Sequence, residues 1–388
     1  MILHYLKLIW HRRRKNAFIT AELVLAFLVI FGILAFAFKQ FSRLIVPEGF
    51  NTENVYNISP SVGELDSVTF KNMREQLRQE LLDLPEVRNV TMASQVTPYG
   101  DSYWSTVARV GGTDISVDYI MSDENFGDVW KIRMTEGSFY TEEDLTGKYL
   151  PVVVNQLFVD THLKDTTALG FVFDFMGEEV IIKGVCQHFK YKGKFKEEVP
   201  LVLAPIQMGW QNLGLITVAI YPDSDDTVLK KMHDITARIT GNHELWIDQV
   251  AMNRKIQNRT YWAPLSGLFA LALFILINIS IGMIGILRYN INRRKPEIGL
   301  RKAMGASSSH IRKQITGEML VLTSLAITMG LAFAIQVIFL DSLYMPGYLY
   351  WCALVASVII ILSIVIISSL IPSSHAAALN PAVTLYEE

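Results

Sequence analysis

Four long runs of apolar residues stand out from the alternation of apolar and polar positions in the rest of the chain. They lie at residues 17–38, 265–287, 319–340 and 349–371 and contain one charged side chain, Glu22. About 20 consecutive apolar residues cross a bilayer as a helix. The pattern therefore predicts four transmembrane helices and excludes a one-piece soluble enzyme.

Residues 39–262, between the first two runs, have the pattern of an ordinary soluble domain. Apolar residues at helical spacing predict helices over 70–81 and 228–239, followed by a helical stem over 251–262. Short or alternating apolar runs predict strands over 54–58, 87–94, 106–110, 115–120, 151–155, 180–186, 201–203, 215–221 and 245–250. Since strands and helices interleave, we expect a mixed α+β domain.

Positive charge is concentrated in two short segments. Residues 1–16 hold five Lys and Arg residues and residues 288–318 hold eight, whereas the soluble segment has an excess of acid. Short positively charged loops stay in the cytoplasm. We therefore expect both termini and the 288–318 loop inside the cell, and the soluble domain outside.

Together these patterns predict the organisation of the whole chain. The predicted segments are a cytoplasmic amphipathic N-terminal helix (1–16), a first transmembrane helix (17–38), an extracytoplasmic domain with its stem (39–262), a second transmembrane helix (263–287), a cytoplasmic loop (288–318), a third transmembrane helix (319–340), a short outer loop (341–348), a fourth transmembrane helix (349–371) and a cytoplasmic tail (372–388).

The first apolar run leaves two questions open. Ala35-Phe36-Ala37 resembles a signal-peptide cleavage site, although the run is longer than the ~7–15-residue core of a signal peptide. Glu22 is an acid inside a predicted span, and such acids often have a function. Its place about one turn from the inner end also allows its carboxylate to reach the interface.

Composition and motifs give no sign of catalysis. The chain is 51% hydrophobic and 19% charged, with a net charge of −2 and an acidic outer segment, so we expect no nucleic-acid partner. Gly147-Lys148 lacks the upstream glycine of a phosphate-binding loop. The histidines of the soluble segment, His162, His188, His233 and His243, lack the spacing of metal ligands. We therefore predict no catalytic residue, no metal site and no cofactor bound by this chain.

The loop between the second and third runs carries the most specific motif, which reads RRKPEIGLRKAMGAS over residues 293–307. Pro296 suits the first turn of a helix, Glu297 favours its N-terminal end, and Gly305 suits the position after its end. Ile298, Ala303 and Met304 form an apolar strip on this helix, and a serine at 307–309 can cap the next one. A basic loop held to anionic lipid would share these features.

This motif closely resembles the RxxEIGLRKAxGAS signature of the FtsX-like permease superfamily, which includes the MacB-type exporters. Shorter phrases extend the resemblance along the chain, at 5–10 and 13–14, 136–140 with 143–144, 152–155, 184–185, 200–205, 372, 376–377 and 380–383. The order of one span, a large outer domain and three further spans is also the family's order. The chain differs in having no ATPase domain ahead of the first span, and in the stretch 185–189, where many relatives have an acid before the aromatic residue.

The resemblance implies an α-helical membrane protein with four transmembrane helices. A large extracytoplasmic α+β domain, similar to the MacB periplasmic core, would be inserted between the first and second helices. The protein would lie in the bacterial cytoplasmic (inner) membrane as the permease subunit of a mechanotransmitting ABC transporter. The implied ATPase-coupling residues are Glu297, Ile298, Gly299, Leu300, Arg301, Lys302, Ala303, Met304, Gly305 and Ala306.

The resemblance also implies partners. Two cytoplasmic ATPase subunits would bind ATP and Mg²⁺, a second permease chain would complete a homodimer or heterodimer, and a periplasmic adaptor or outer-membrane channel is a further candidate. Export or extraction of a peptide, a lipophilic compound or a lipoprotein is the function that the resemblance favours. Signalling to a cell-wall hydrolase and antimicrobial-peptide sensing with a sensor kinase are the alternatives.

Overall fold

A computed structural model describes residues 13–378, with the exception of residues 61, 64, 165, 209–213, 226 and 342. Most of the predicted N-terminal amphipathic helix and the motif at 380–383 therefore lie outside the described residues. The chain forms two compact units, one made of the long apolar helices and one that comprises Arg43–Trp262.

Helices provide the first unit and cover parts of the second. In chain order they are α1 (Arg13–Ile45), α2 (Ser67–Leu82), α3 (Phe126–Val129), α4 (Gln156–His162), α5 (Thr227–Thr240), α6 (Val250–Arg293), α7 (Lys295–Ala303), α8 (Ser308–Phe339) and α9 (Gly347–Ala378). Among the described residues, α1, α6, α8 and α9 are long and apolar enough to cross a membrane, which confirms the prediction of four spans.

The four long helices share one apolar core. Buried side chains from each of them meet there, including Phe27, Ile279, Ala326 and Ala353. Gly330 allows α8 to approach α1 closely, because a Cβ atom at that position would overlap the ring of Phe27. Close approach at small residues is the usual way in which membrane helices gain van der Waals contact.

The outer unit is built on one mixed sheet. Its strands are β1 (Val55–Ser59), β2 (Val87–Ala93), β3 (Ser105–Val110), β4 (Thr113–Ser122), β5 (Met134–Gly137), β6 (Leu150–Asn155), β7 (Val172–Phe175), β8 (Glu178–Cys186), β9 (Leu201–Pro205), β10 (Leu215–Ile220) and β11 (Trp246–Gln249). The order β11-β1-β10-β2 forms an open half covered by α2 and α5. The strands β4, β3, β7, β8, β6 and β9 close a ring, because β9 also pairs with β4. The α+β outer domain is therefore confirmed.

Most of the predicted elements are present, with one correction and two omissions. The hairpin around Gly111 and Gly112 is confirmed, with β3 and β4 paired from Ser105↔Asp118 to Val110↔Thr113. The last strand was predicted to reach Val250, but Val250 begins α6 and its side chain is buried. Strands β5 and β7, of four residues each, are not among the predicted strands.

We expect the fragment Arg43–Trp262 to fold on its own as a soluble α+β domain. Three buried apolar clusters lie entirely inside this segment, so that its hydrophobic surface is covered without the long helices. Circular dichroism of the purified fragment should show helix and strand with a cooperative thermal transition. A disordered spectrum, or aggregation at low concentration, would contradict this expectation.

Candidate functional site

The short helix α7 has the start and end that its sequence predicts. Pro296 lies in its first turn, and Glu297 is the acid of that turn. The backbone N–H of Gly305 donates to the carbonyl of Lys302 at 3.0 Å, and that of Ala306 donates to Arg301 at 3.0 Å. Gly305 has φ +96°, a left-handed conformation that glycine adopts without strain. The helix is therefore bounded sharply on both sides.

The next helix begins at once with its own cap. Ser307 has an extended backbone, and its hydroxyl accepts a hydrogen bond from the N–H of His310 at 3.2 Å. The hydroxyl of Ser308 donates to the carbonyl of Ala377 near the end of α9 at 2.9 Å. The turn from α7 to α8 is thus tied to the end of the fourth long helix.

The inner face of α7 rests on the ends of the long helices. Ile298 is 8% exposed and lies in a buried cluster with Ile291, Ile311 and Ala376. The predicted apolar strip of Ile298, Ala303 and Met304 is therefore divided, since Ile298 points inward while the other two are exposed. The reason is helical geometry: at 100° per residue, Ile298 lies on the side opposite Leu300 and Met304.

The outer face of α7 is a small exposed apolar patch of Leu300, Ala303 and Met304. Leu300 is 53% exposed and Met304 is 72% exposed. Ala303 lies between them and is exposed as well. We call these three residues the α7 patch. An apolar patch on a short, well-anchored helix offers a rigid contact surface for another protein.

A chain of polar contacts fastens α7 to α8. The guanidinium of Arg301 donates to Glu297 at 2.6 Å and to the side-chain oxygen of Gln314 at 2.7 Å. Gln314 donates to Glu318 at 3.4 Å, and Glu318 in turn accepts from Arg294 at 2.9 Å. Arg301, predicted only as a coupling residue, therefore also joins α7 to the third long helix.

The ten predicted site residues thus differ in their burial and in their contacts. Ile298 and Gly299 are buried, Arg301 joins the polar chain, and Gly305 and Ala306 form the turn into α8. The sequence analysis did not identify Arg294, Gln314 or Glu318 as members of this site. Arg294 is the first arginine of the RxxEIGLRKAxGAS signature, and Gln314 and Glu318 have a four-residue spacing. Nothing local in the sequence connects Arg294 with Glu318.

A second set of contacts lies at the base of the outer domain, where the first long helix enters it. The guanidinium of Arg43 donates to the carbonyl of Phe195 at 3.1 Å, and the ammonium of Lys190 donates to the carbonyl of Arg43 at 2.8 Å. The ring of Phe195 stacks on Tyr261 with centroids 5.0 Å apart and meets Trp262 edge-on at 5.7 Å. The loop 188–198 therefore binds both the last turn of α1 and the stem of α6.

An ion pair strengthens the same base. Arg254 of the α6 stem lies 3.1 Å from the carboxylate of Glu48, which also accepts the hydroxyl of Tyr99. The backbone N–H of Lys190 donates to the carbonyl of Glu48 at 2.9 Å. These contacts hold the segment after α1 and the start of α6 to one another within the outer domain.

The outer domain offers little chemistry beyond this. No group of three His, Cys, Asp or Glu side chains could hold a metal among the described residues. His188 is paired with Glu198 at 2.8 Å. Burial raises the pKa of the Cys186 thiol to about 12, so that the reactive thiolate is scarce at neutral pH.

A polar cleft of about 680 Å³ opens in the described part of the outer domain. Its walls come from β1, β11, the loop 95–102 and the α6 stem. They present the amides of Gln95 and Gln257, the carboxylates of Asp101 and Asp248, and the indole of Trp246. The cleft can bind a polar molecule through hydrogen bonds.

Glu22 faces the second long helix. A Cβ atom built on Gly282 would lie 3.4 Å from a carboxylate oxygen of Glu22, an ordinary van der Waals distance, so the carboxylate lies beside α6 at this point.

Two family profiles match the chain, and together they cover most of it. The profile of the MacB-like periplasmic core domain matches residues 23–235, which is more than half of the chain. The profile of the FtsX-like permease C-terminal domain matches residues 269–381 and so includes α7 and the α7 patch.

Individual relatives of the chain are also named as permeases. The ABC transporter permease YvrN of Bacillus subtilis is 24% identical over 394 residues and covers 94% of this chain and 93% of its own length. The macrolide export ATP-binding/permease protein MacB of Neisseria meningitidis is 23% identical over 329 residues. That match covers 81% of this chain, but the chain spans only 50% of the MacB sequence.

Among solved structures, the periplasmic region of MacB from Actinobacillus actinomycetemcomitans is similar to this chain with a TM-score of 0.39 and 17% identity. The match covers 53% of this chain and 94% of that one. The extracellular domain of the transporter YknZ from Gram-positive bacteria has a TM-score of 0.36 and 15% identity, with 50% of this chain and all of that chain covered.

Proposed function

Because the chain belongs to the ABC transporter permeases of the MacB and FtsX type, we propose that it couples ATP hydrolysis by a separate ATPase subunit to movement of its outer domain. The observation that carries this proposal is the construction of α7. Its patch of Leu300, Ala303 and Met304 is exposed, while its opposite face is fixed to the ends of the long helices. A force applied to the patch would therefore move those helices.

The contacts within the chain support a direct route for such a movement. Arg301 and Gln314 connect α7 to α8, and Ile298 packs against Ile291 near the end of α6. Helix α6 comprises 44 residues, with Pro264 inside it. Its far end carries Arg254, Tyr261 and Trp262 at the base of the outer domain.

The partners follow from this proposal. Two ATPase subunits would each bind one α7 patch and would hold ATP and Mg²⁺, while a second permease chain would complete the membrane complex. The loop that contains α7 would lie in the cytoplasm of a bacterium, because it carries eight Lys and Arg residues. Both termini would then lie on the same side, with the outer domain across the inner membrane.

Export or extraction of a peptide, a lipophilic compound or a lipoprotein is the transport function that we propose. The name of the MacB relatives, macrolide exporters, gives this class some support. The cleft lined by Asp101 and Asp248 suits a substrate with hydrogen-bond donors or a positive charge. An adaptor or outer-membrane channel would receive the substrate on the far side.

Co-expression with the ATPase from a neighbouring gene tests the proposal. We expect a purified complex of two permease and two ATPase chains by native mass spectrometry, with ATP hydrolysis that the permease alone lacks. The ATPase carrying a substitution in its own phosphate-binding lysine is the control for contaminating hydrolysis. Hydrolysis by the pure permease, or a stable complex of another composition, would contradict the proposal.

A further inference from the structure

Helix α6 is the long helix with the least cover from the rest of the chain. Of its most apolar 18 residues, 17% are buried, against 33% or more in the corresponding stretches of α1, α8 and α9. A line of residues along its exposed side repeats at alternating steps of four and three. These residues are Gly267, Leu271, Phe274, Asn278, Ile281 and Gly285, and all six are exposed. We call this line the α6 seam.

The spacing of the α6 seam is that of a helix that packs against another helix. Steps of four and three give a mean repeat of 3.5 residues, which keeps one line of side chains facing a partner in a left-handed pair. Phe274 is 64% exposed and Ile281 is 66% exposed. A Cβ atom at Gly267 or Gly285 would meet nothing within 4 Å, so both ends of the seam leave space for a neighbouring backbone.

Asn278 is the observation that a lipid environment does not explain. It lies near the middle of the apolar run, is exposed, and its amide nitrogen donates to the carbonyl of Phe274 at 2.9 Å. In the part of the chain that the structure describes, its side-chain oxygen has no donor. An amide oxygen in hydrocarbon without a hydrogen bond is costly, whereas a second helix could supply the donor.

We propose that the α6 seam is the interface with a second copy of this chain, and that the two Asn278 side chains hydrogen-bond to each other across it. The proposal rests on the two-permease complex proposed above and names the surface that would hold it together. Two copies inserted in the same direction have parallel α6 helices. A two-fold axis along the membrane normal then brings each seam residue to its own counterpart at the same depth.

An identical copy fits the seam better than an unrelated helix. An asparagine amide has both a donor and an acceptor, so two copies at one depth satisfy each other reciprocally, as a buried asparagine does in a parallel coiled coil. The length of the α6 seam also matches the thickness of the membrane interior. From Gly267 to Gly285 it is about 27 Å long, close to the ~30 Å of the hydrocarbon core, and the next residues on the line are Pro264 and Arg288.

Cysteine cross-linking in membranes tests the interface. We would replace Cys352, the exposed native cysteine, by serine in the full chain and introduce Asn278→Cys or Ile281→Cys. Oxidation should produce a disulfide-linked dimer, since bridged residues need Cα atoms within about 7 Å. Leu273→Cys is the matched control, because Leu273 is as exposed as the seam residues but lies about 120° away around the helix.

A second measurement tests the contribution of the Asn278 hydrogen bond to dimer stability, apart from the rest of the α6 seam. Asn278→Leu should keep the chain in the membrane but weaken the dimer about three- to tenfold in detergent dilution, the effect of one interhelical hydrogen bond. Asn278→Gln should restore most of the affinity. Equal dimer stability in all three proteins would overturn the role given to Asn278.

The outcomes also separate this inference from the proposed function. If the permease purifies as a two-copy complex with its ATPase and the seam cysteines fail to cross-link, the interface is elsewhere and the proposed function stands. If the seam cysteines cross-link and no ATPase associates, the interface stands and the coupling function fails. Equal cross-linking at Leu273→Cys and the seam positions would overturn the inference, because it would indicate random collision.

Discussion

Leu300→Asp combined with Met304→Asp is expected to abolish association with the ATPase while leaving the permease folded and inserted. Both side chains are largely exposed, so the substitutions remove no contact inside the chain. Full burial of a leucine or methionine in a protein contact contributes roughly 1.5–3 kcal/mol, and an unpaired carboxylate there would be unfavourable. We therefore expect affinity to fall by more than a hundredfold, measured by copurification and by complementation of a deletion strain.

The control for this double variant is Ser309→Asp. Ser309 is exposed in the first turn of α8, where an added acid favours the helix, and it adds negative charge to the same loop without touching the α7 patch. It should copurify with the ATPase at the level of the unmodified protein. A loss equal to that of the double variant would point to the charge of the loop rather than to the patch.

Glu297→Lys separates the coupling hypothesis from the lipid-bound loop. The variant adds positive charge, which would leave binding to anionic lipid unchanged or improve it. In the coupling hypothesis it should weaken ATPase association or ATP-dependent function, because Glu297 holds Arg301 at 2.6 Å. The pair itself contributes only about 0.3–0.5 kcal/mol to the helix, so expression should not change. Full complementation by this variant would show that the coupling assignment is wrong.

The ends of α7 and the start of α8 were predictable because each depends on a residue and its immediate neighbours. Pro296 sets a backbone angle, Gly305 accepts a positive φ, and Ser307 satisfies a nearby N–H. The orientation of the helix was not predictable in this way. It depends on Ile291 and Ala376 receiving Ile298, and those residues are brought together only by the packing of the long helices.

The same distinction between local and long-range contacts explains which elements of the outer domain the sequence predicts. The hairpin around Gly111 and Gly112 depends only on residues that are neighbours in the sequence, and it was predicted. Strand β5 was missed because three of its four residues are exposed, so that no alternation marks it. Val250 was placed at the end of the last strand, but it begins α6 and its apolar side chain is buried there.

Gly49→Ala is expected to destabilise the outer domain strongly. Gly49 has φ +88°, and a Cβ atom there would overlap the carbonyl of His188. The left-handed conformation costs an alanine about 1–2 kcal/mol, and the overlap forces one of two backbones to move, for a total of roughly 4 kcal/mol. At about 2–4 °C per kcal/mol for a domain of this size, the melting temperature of the Arg43–Trp262 fragment should fall by roughly 8–16 °C.

Gly112→Ala isolates the part of this effect that comes from the backbone angle. Gly112 has a similar φ of +82° with nothing within 4 Å of a Cβ atom, so its replacement should lower the melting temperature by only about 2–4 °C per kcal/mol of strain. Equal shifts in the two variants, followed by circular dichroism, would show that the contact with His188 is unimportant. A larger shift at Gly49 would mean that the segment after α1 is held closely by the loop 188–198. That loop also binds Tyr261 of the α6 stem, so a rigid contact at Gly49 is what the proposed transfer of movement through the base requires.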